Sequence, residues 1–266
     1  MTSCLRYRPV PSPVKRGGRW ALAAAVSASL ALSAPRTLRA QAAQTAQSAD
    51  SVPLPAYVPK GSKLGFADAI AAFETRDRET PPPAGGIVFV GSIIFRQWEQ
   101  LSEQMAPLPA FNRAFGGSKT WEVLHYADRI VLPYKPAFVV YYCGSNDVNG
   151  KHAAGGIIER IRLFNTKVHA ALPNTVIFFT AIQRAPDKRA RWAVVDSVNA
   201  TMKDEAARSG GWLRYIDLNP VLFDARGEIR GELFKPDSLH FKPPAYDEFT
   251  AVIKPVLEKA WRERRP

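Results

Sequence analysis

The chain has 266 residues, a length that fits one α/β domain plus appendages. Its apolar share of 46% is that of a globular protein. The formal charge of +12 is not spread over that domain: residues 1–42 carry seven basic side chains (Arg6, Arg8, Lys15, Arg16, Arg19, Arg36, Arg39) and no acid, leaving 29 basic against 24 acidic residues elsewhere. The excess therefore belongs to the leader, which excludes a nucleic-acid footprint on the domain and predicts no nucleic-acid partner.

The leader, residues 1–42, reads as a bacterial secretory signal peptide. Basic residues come first, an apolar run follows from Trp20 to Ala34, and small residues surround Ala40-Gln41-Ala42. The apolar run is short for a membrane span, so the expectation is an exported protein, periplasmic or secreted, with no span after cleavage; an uncleaved anchor is the alternative. Cys4 lies far ahead of the apolar run, which is not the place of a lipid-attachment cysteine. Cleavage leaves Cys143 alone, so the mature chain has no internal disulfide. Residues 43–62, rich in Ala, Gln, Ser and Pro, read as a disordered linker.

Residues 63–84 read as an N-terminal helix and a Pro-rich connection. Phe66, Ile70 and Phe73 give helical spacing over 64–77, and Pro81-Pro82-Pro83 ends it. Apolar runs at Ile87–Val90, Ala137–Cys143, Thr175–Ala181 and Trp212–Ile216, with a weaker one near Ala110–Phe115, have strand length and composition. Helical stretches lie between and after them, carried by Ile157, Ile161, Phe164 and Val168, by Trp192, Val195, Val198 and Met202, and by Tyr246, Phe249, Ile253 and Leu257. This alternation predicts an α/β fold with a mainly parallel sheet covered on both faces, its functional residues on loops at the carboxyl ends of the strands.

Four segments fall at those ends: Gly91-Ser92-Ile93 after strand one, Asn112–Ser118 after strand two, Gly144-Ser145-Asn146-Asp147 after strand three, and Asp237-Ser238-Leu239-His240 before the last helix. Each has a plainer reading. Gly116-Gly117 alone is turn chemistry, Asn146-Asp147 equally caps the next segment, and an isolated Asp/His pair is more often structural. Their order and shared placement carry the signal.

In that order the segments resemble the four blocks of the SGNH (GDSL-type) hydrolase family, over residues 85–262. The resemblance implies a flavodoxin-like three-layer α/β/α sandwich with a five-stranded sheet. It implies ester or acyl hydrolysis by Ser-His-Asp acyl transfer, with a small-molecule, glycan or lipid acyl ester as substrate and no cofactor. By it, Gly117 and Asn146 match the oxyanion donors, His240 the general base and Asp237 the carboxylate that orients it. The first block is similar to a branch that reads Gly-Ser-Ser, an apolar residue, Arg and Trp. Gly91, Ser92, Arg96 and Trp98 fix the register and put Ile93 on the nucleophile. A hydrocarbon side chain neither attacks a carbonyl nor gives up a proton, so the expectation is impaired turnover. Ser92 is the candidate substitute nucleophile, one residue off the expected position. The alternative function is an inactive binding module for acylated glycan or lipid ligands; a purely structural envelope protein is a third class. No His, Cys and carboxylate cluster has metal-ligand spacing, so no metal is expected. His125, His152 and His169 match no block, and Cys143 reads as a small buried hydrophobe. Arg184, Lys188, Arg189 and Arg191 read as a solvated helix start, with an anionic partner as the less favoured reading.

Overall fold

The computed structural model describes residues 54–264. The leader over 1–42 and the linker residues 43–53 lie outside the described residues. Residues 54–62, which composition assigns to the linker, run along the domain, with Val58 buried and Tyr57 packed on the core.

Helix α1 (Ala67–Glu79) precedes strand β1 (Ile87–Gly91). Two short helices, α2 (Ile93–Arg96) and α3 (Leu101–Met105), lead to β2 (Ala110–Asn112). Then come α4 (Thr120–His125), α5 (Ala127–Ile130), β3 (Phe138–Tyr142), α6 (Ser145–Asn149), α7 (Ala154–Ala171), β4 (Val176–Thr180), α8 (Trp192–Arg208), β5 (Leu213–Ile216) and α9 (Pro243–Glu263). The five strands form one parallel sheet in the order β2-β1-β3-β4-β5. This is the flavodoxin-like order, and the expected three-layer sandwich is the fold observed.

Alternation along the strands builds two cores. Ile87 and Phe89 of β1, with Phe138, Val140 and Tyr142 of β3, face α2, α3 and α9, where Phe95, Leu101, Phe249, Ile253 and Leu257 are buried. Val88, Val90, Val139 and Tyr141 face the other way, onto α1, α4, α7 and α8. Both faces are covered, which is why these strands read as unbroken apolar runs. The edge strand β2 is guarded by Arg113, whose guanidinium meets Asp77 of α1 and the Tyr134 hydroxyl and lies over the rings of Phe73 and Phe111.

The strand order reverses between β1 and β3, which opens the crevice where open α/β sheets bind ligands. Gly91 sets how closely the two strands approach at that point. Its φ of +130° lies in a region L side chains avoid, and a Cβ there would collide with the carbonyl of Tyr142 in β3. The close approach lets Ser92 N–H donate to Tyr142 O at 3.0 Å and Phe115 N–H to Gly91 O at 3.0 Å. Gly91→Ala is therefore expected to lower stability by about 2 kcal/mol or more. The check is the urea midpoint, which falls with little change in the slope.

Candidate active site

The turn after β1 separates its two side chains. Ser92 is wholly buried and its Oγ accepts a hydrogen bond from Asn146 Nδ2 at 2.7 Å. Ile93 opens α2, is partly exposed, and packs on the core beneath α9. Adjacent residues across a strand-to-helix turn project differently, and here the hydroxyl goes inward while the aliphatic chain takes the outer position.

The second block wraps around the same point. Ser118 is buried and its Oγ donates to Gly91 O at 3.0 Å. Gly117 faces the Asn146 amide: a Cβ on it would lie 3.7 Å from Asn146 Nδ2. Gly116, with φ of +44°, has the Phe66 ring against the place where a side chain would stand. Phe66 in turn meets Phe115 edge-on with centroids 5.3 Å apart. The segment before α1 thus braces this turn. Gly65 N–H donates to Glu122 Oε1, the Tyr126 hydroxyl to Gly65 O and Trp121 Nε1 to Lys63 O.

Asn146 sits in the first turn of α6 and donates from Nδ2 to Ser118 O at 3.1 Å as well as to Ser92 Oγ. An amide nitrogen has two protons, so both are in use. Asp147 does not cap its own helix. Its buried carboxylate accepts from Thr120 N at 3.0 Å, Thr120 Oγ1 at 2.5 Å and Arg160 Nη2 at 3.1 Å, so it closes the start of α4 and ties α7 to α6. Arg160 Nε donates to Thr120 Oγ1 at 2.6 Å, and its guanidinium lies over Trp121. Burial raises the Asp147 pKa, against the lowering by its Thr120 and Arg160 partners.

The fourth block is a separate, tightly wound loop. Asp237 Oδ1 accepts the backbone N–H of Leu239 at 3.0 Å and of His240 at 2.9 Å, and Oδ2 meets His240 Nδ1 at 2.6 Å. Ser238 takes a left-handed φ of +57° to allow this winding. Phe241, next in sequence, is buried against Phe234 and Phe249 and roots the loop in the core. The bond to His240, and those from the loop's backbone, hold Asp237 down at a pKa of about 2. An ionised Asp237 fixes the proton of neutral His240 on Nδ1 and leaves Nε2 as the acceptor.

Ser92, Gly117 and Asn146 are thus brought together by contact, and Asp237 and His240 by contact; among the described residues no hydrogen bond joins the two groups directly. Gly91 through Asp247 match the model of the GDSL-like Lipase/Acylhydrolase family, more than half of the chain. The chain belongs to this family. The same fold recurs in a GDSL-like lipase from Bacteroides thetaiotaomicron VPI-5482 (20% identity, TM-score 0.61, covering 72% of this chain and 98% of that one). It recurs in a protein assigned as an acylhydrolase from Bacteroides fragilis NCTC 9343 (18%, 0.63, 71% and 96%) and in a lipase/acylhydrolase from Enterococcus faecalis (19%, 0.55, 65% and 95%). None of the curated proteins matches the chain significantly.

Other features fall outside the site. A cavity of about 800 Å³ lies at the opposite end of the sheet, lined by Pro136, Ala137, Thr175 and Val176. His125 meets the Tyr57 hydroxyl, His152 packs edge-on to Trp121 and His169 stacks on Trp212. Cys143 is buried and free. Among the described residues no group of three or more His, Cys, Asp or Glu is placed to hold a metal ion, and no helix is long and apolar enough to cross a membrane. The Asp147 clamp escapes sequence reading because Thr120 and Arg160 are 27 and 13 residues away; an Asp beside a motif residue is its one signal.

Asp147→Ala strands the Arg160 charge and is expected to cost about 3–5 kcal/mol, read from urea unfolding. The Asp237–His240 bond adds stability that is fully present above the ordinary carboxylate value of 3.8 and is lost as pH falls through about 2. A carbon-detected NMR titration of the Asp237 carboxylate should show that low midpoint, and one near 4 would contradict the bond.

Proposed function

We propose that this chain is an SGNH-type ester or acyl hydrolase scaffold whose turnover is impaired because Ile93 stands at the nucleophile position. Ser92 carries this reading: its hydroxyl is buried and bound to Asn146, so it supports the register that assigns Ile93, not Ser92, to the attacking position. In this reading His240 Nε2 is the general base, Asp237 holds its tautomer, and Gly117 N–H and Asn146 Nδ2 are the donors to the oxyanion. With a serine at 93, Oγ bonds to the acyl carbon, its proton passes to Nε2 and the carbonyl electrons move to the oxygen. Collapse expels the alkoxide, which takes the proton from His240, and water then releases the acid by the same steps. Asn146 Nδ2 must let go of Ser92 Oγ or Ser118 O to reach that oxygen. With isoleucine the first bond has no oxygen to form from. What remains is slow attack by water that His240 activates, on the scale of the residual ~10³–10⁴-fold acceleration seen when a triad serine is lost.

The acyl-ester substrate follows from family membership, and export to the periplasm or medium from the leader. A second reading, a binding module for acylated glycans or lipids, is favoured by the intact Gly117–Asn146 and Asp237–His240 pairs, which still offer donors and an acceptor to a carbonyl group.

Ile93→Ser is expected to raise hydrolysis of a short activated ester by on the order of 10³-fold or more. Adding Ser92→Ala to that variant should keep most of the gain. Strong turnover by the unaltered chain that disappears in Ser92→Ala would overturn the assignment. An inert Ile93→Ser that still binds acylated ligand would favour the binding module.

A further inference from the structure

The two halves of the site are linked by a pair of residues that no motif contains. The 3₁₀ turn Pro186–Arg191 follows β4 and carries Asp187 and Lys188. Asp187 N–H donates to Ser238 O at 3.2 Å, inside the Asp237–His240 loop. Its Oδ2 accepts from Asn149 Nδ2 at 2.9 Å, and Asn149 ends α6, three residues after Asn146. Its Oδ1 accepts from Lys188 Nζ at 2.8 Å. The sequence pattern places Lys188 in a solvated basic cluster, but its side chain is only 1% exposed. Arg184 pairs with Asp196 and Arg191 donates to the carbonyl of His152, so the cluster is largely spent on structure.

A buried ammonium is costly, and burial does lower the Lys188 pKa, while Asp187 and Asp237 act to raise it. The Lys188 ammonium is held on the Asp187 carboxylate, its hydrogen-bond partner. We propose that Asp187 and Lys188 are positioning residues that lock the Asp237–His240 loop to the helix bearing Asn146, so that base and oxyanion donor address one reacting carbon. This rests on the acyl-transfer reading above. The loop's own anchor, Phe241, roots it in the core under α9, whereas Asn146 is held from the other side by Asp147, Thr120 and Arg160. The Asp187–Lys188 strut bonds to both frames at the level of the site, donating to Ser238 O and accepting from Asn149 Nδ2, and a misplacement of about 1 Å there costs roughly 100-fold in rate.

NMR on the unaltered chain tests the strut without any turnover. The signals to follow are the His240 ring and the Asn146 side-chain amide, neither of which hydrogen-bonds Asp187. Asp187→Ala should shift both with circular dichroism unchanged. Asp187→Asn, which keeps an acceptor oxygen for Asn149, should shift them less, and Asp196→Ala, which breaks the neighbouring surface pair, should shift neither. If Asp187→Ala does not fold, Lys188→Met, which keeps the apolar stem, replaces it with the same expectation. In the Ile93→Ser chain, Asp187→Ala should lower kcat about 10- to 100-fold while KM stays within about threefold. Unmoved His240 and Asn146 signals would overturn the strut. An inert Ile93→Ser would overturn the acyl-transfer reading instead, and the NMR result would still decide the strut.

Discussion

The contact between Asn146 Nδ2 and Ser92 Oγ, 2.7 Å long with Ser92 wholly buried and Asn146 partly so, organises the crevice. It forms because Gly91 brings the end of β1 against Tyr142 of β3, which puts the turns after the two strands side by side. Once Ser92 is drawn inward, helix α2 has to begin with residue 93 on the outside. The Gly117 turn then closes over the same amide from the β2 side. Three turns from three adjacent strands are fixed by one side-chain amide, at the point where the sheet reverses its order.

Buried charge is concentrated just behind that amide. Asp147 and Arg160 form a desolvated pair with little access to water, and Thr120 satisfies both through its hydroxyl. Replacing such a pair with apolar residues is often neutral or stabilising, so stability alone gives no reason for it. Its geometry does: the three partners come from α4, α6 and α7, and they bond α6, the helix that bears Asn146, to both of the others.

Much of this was legible in the sequence. The five strand runs and the three long helical stripes lie where composition and periodicity put them, because strands buried on both faces and helices with one apolar stripe leave plain patterns. Three of the four blocks could be ordered because each sits at a strand end, and the fourth because it stands just before the last helix. What could not be read were contacts between distant side chains. Nothing local marks Lys188 as buried, since its neighbours Arg189 and Arg191 look the same in sequence; only the fold encloses it, with its ammonium on the Asp187 carboxylate. The role of Asp147 was half legible: its adjacency to Asn146 suggested a cap, and it does close a helix start, but that of α4. Residues 54–62 read as linker by composition, yet Tyr57 and Val58 supply enough apolar surface to lie on the domain.

The Phe66 ring beneath Gly116 bears on where the folding unit begins. The family-matched stretch starts at Gly91, after all but the last residue of the first strand, and it excludes the aromatic wedge and the polypeptide leading up to it. A protein trimmed to that stretch would lose all but the end of β1, the strand that joins β2 to β3, and the prop under the glycine turn, leaving Phe115 with a bare side. The functional family boundary and the physical boundary of the fold are different places on this chain.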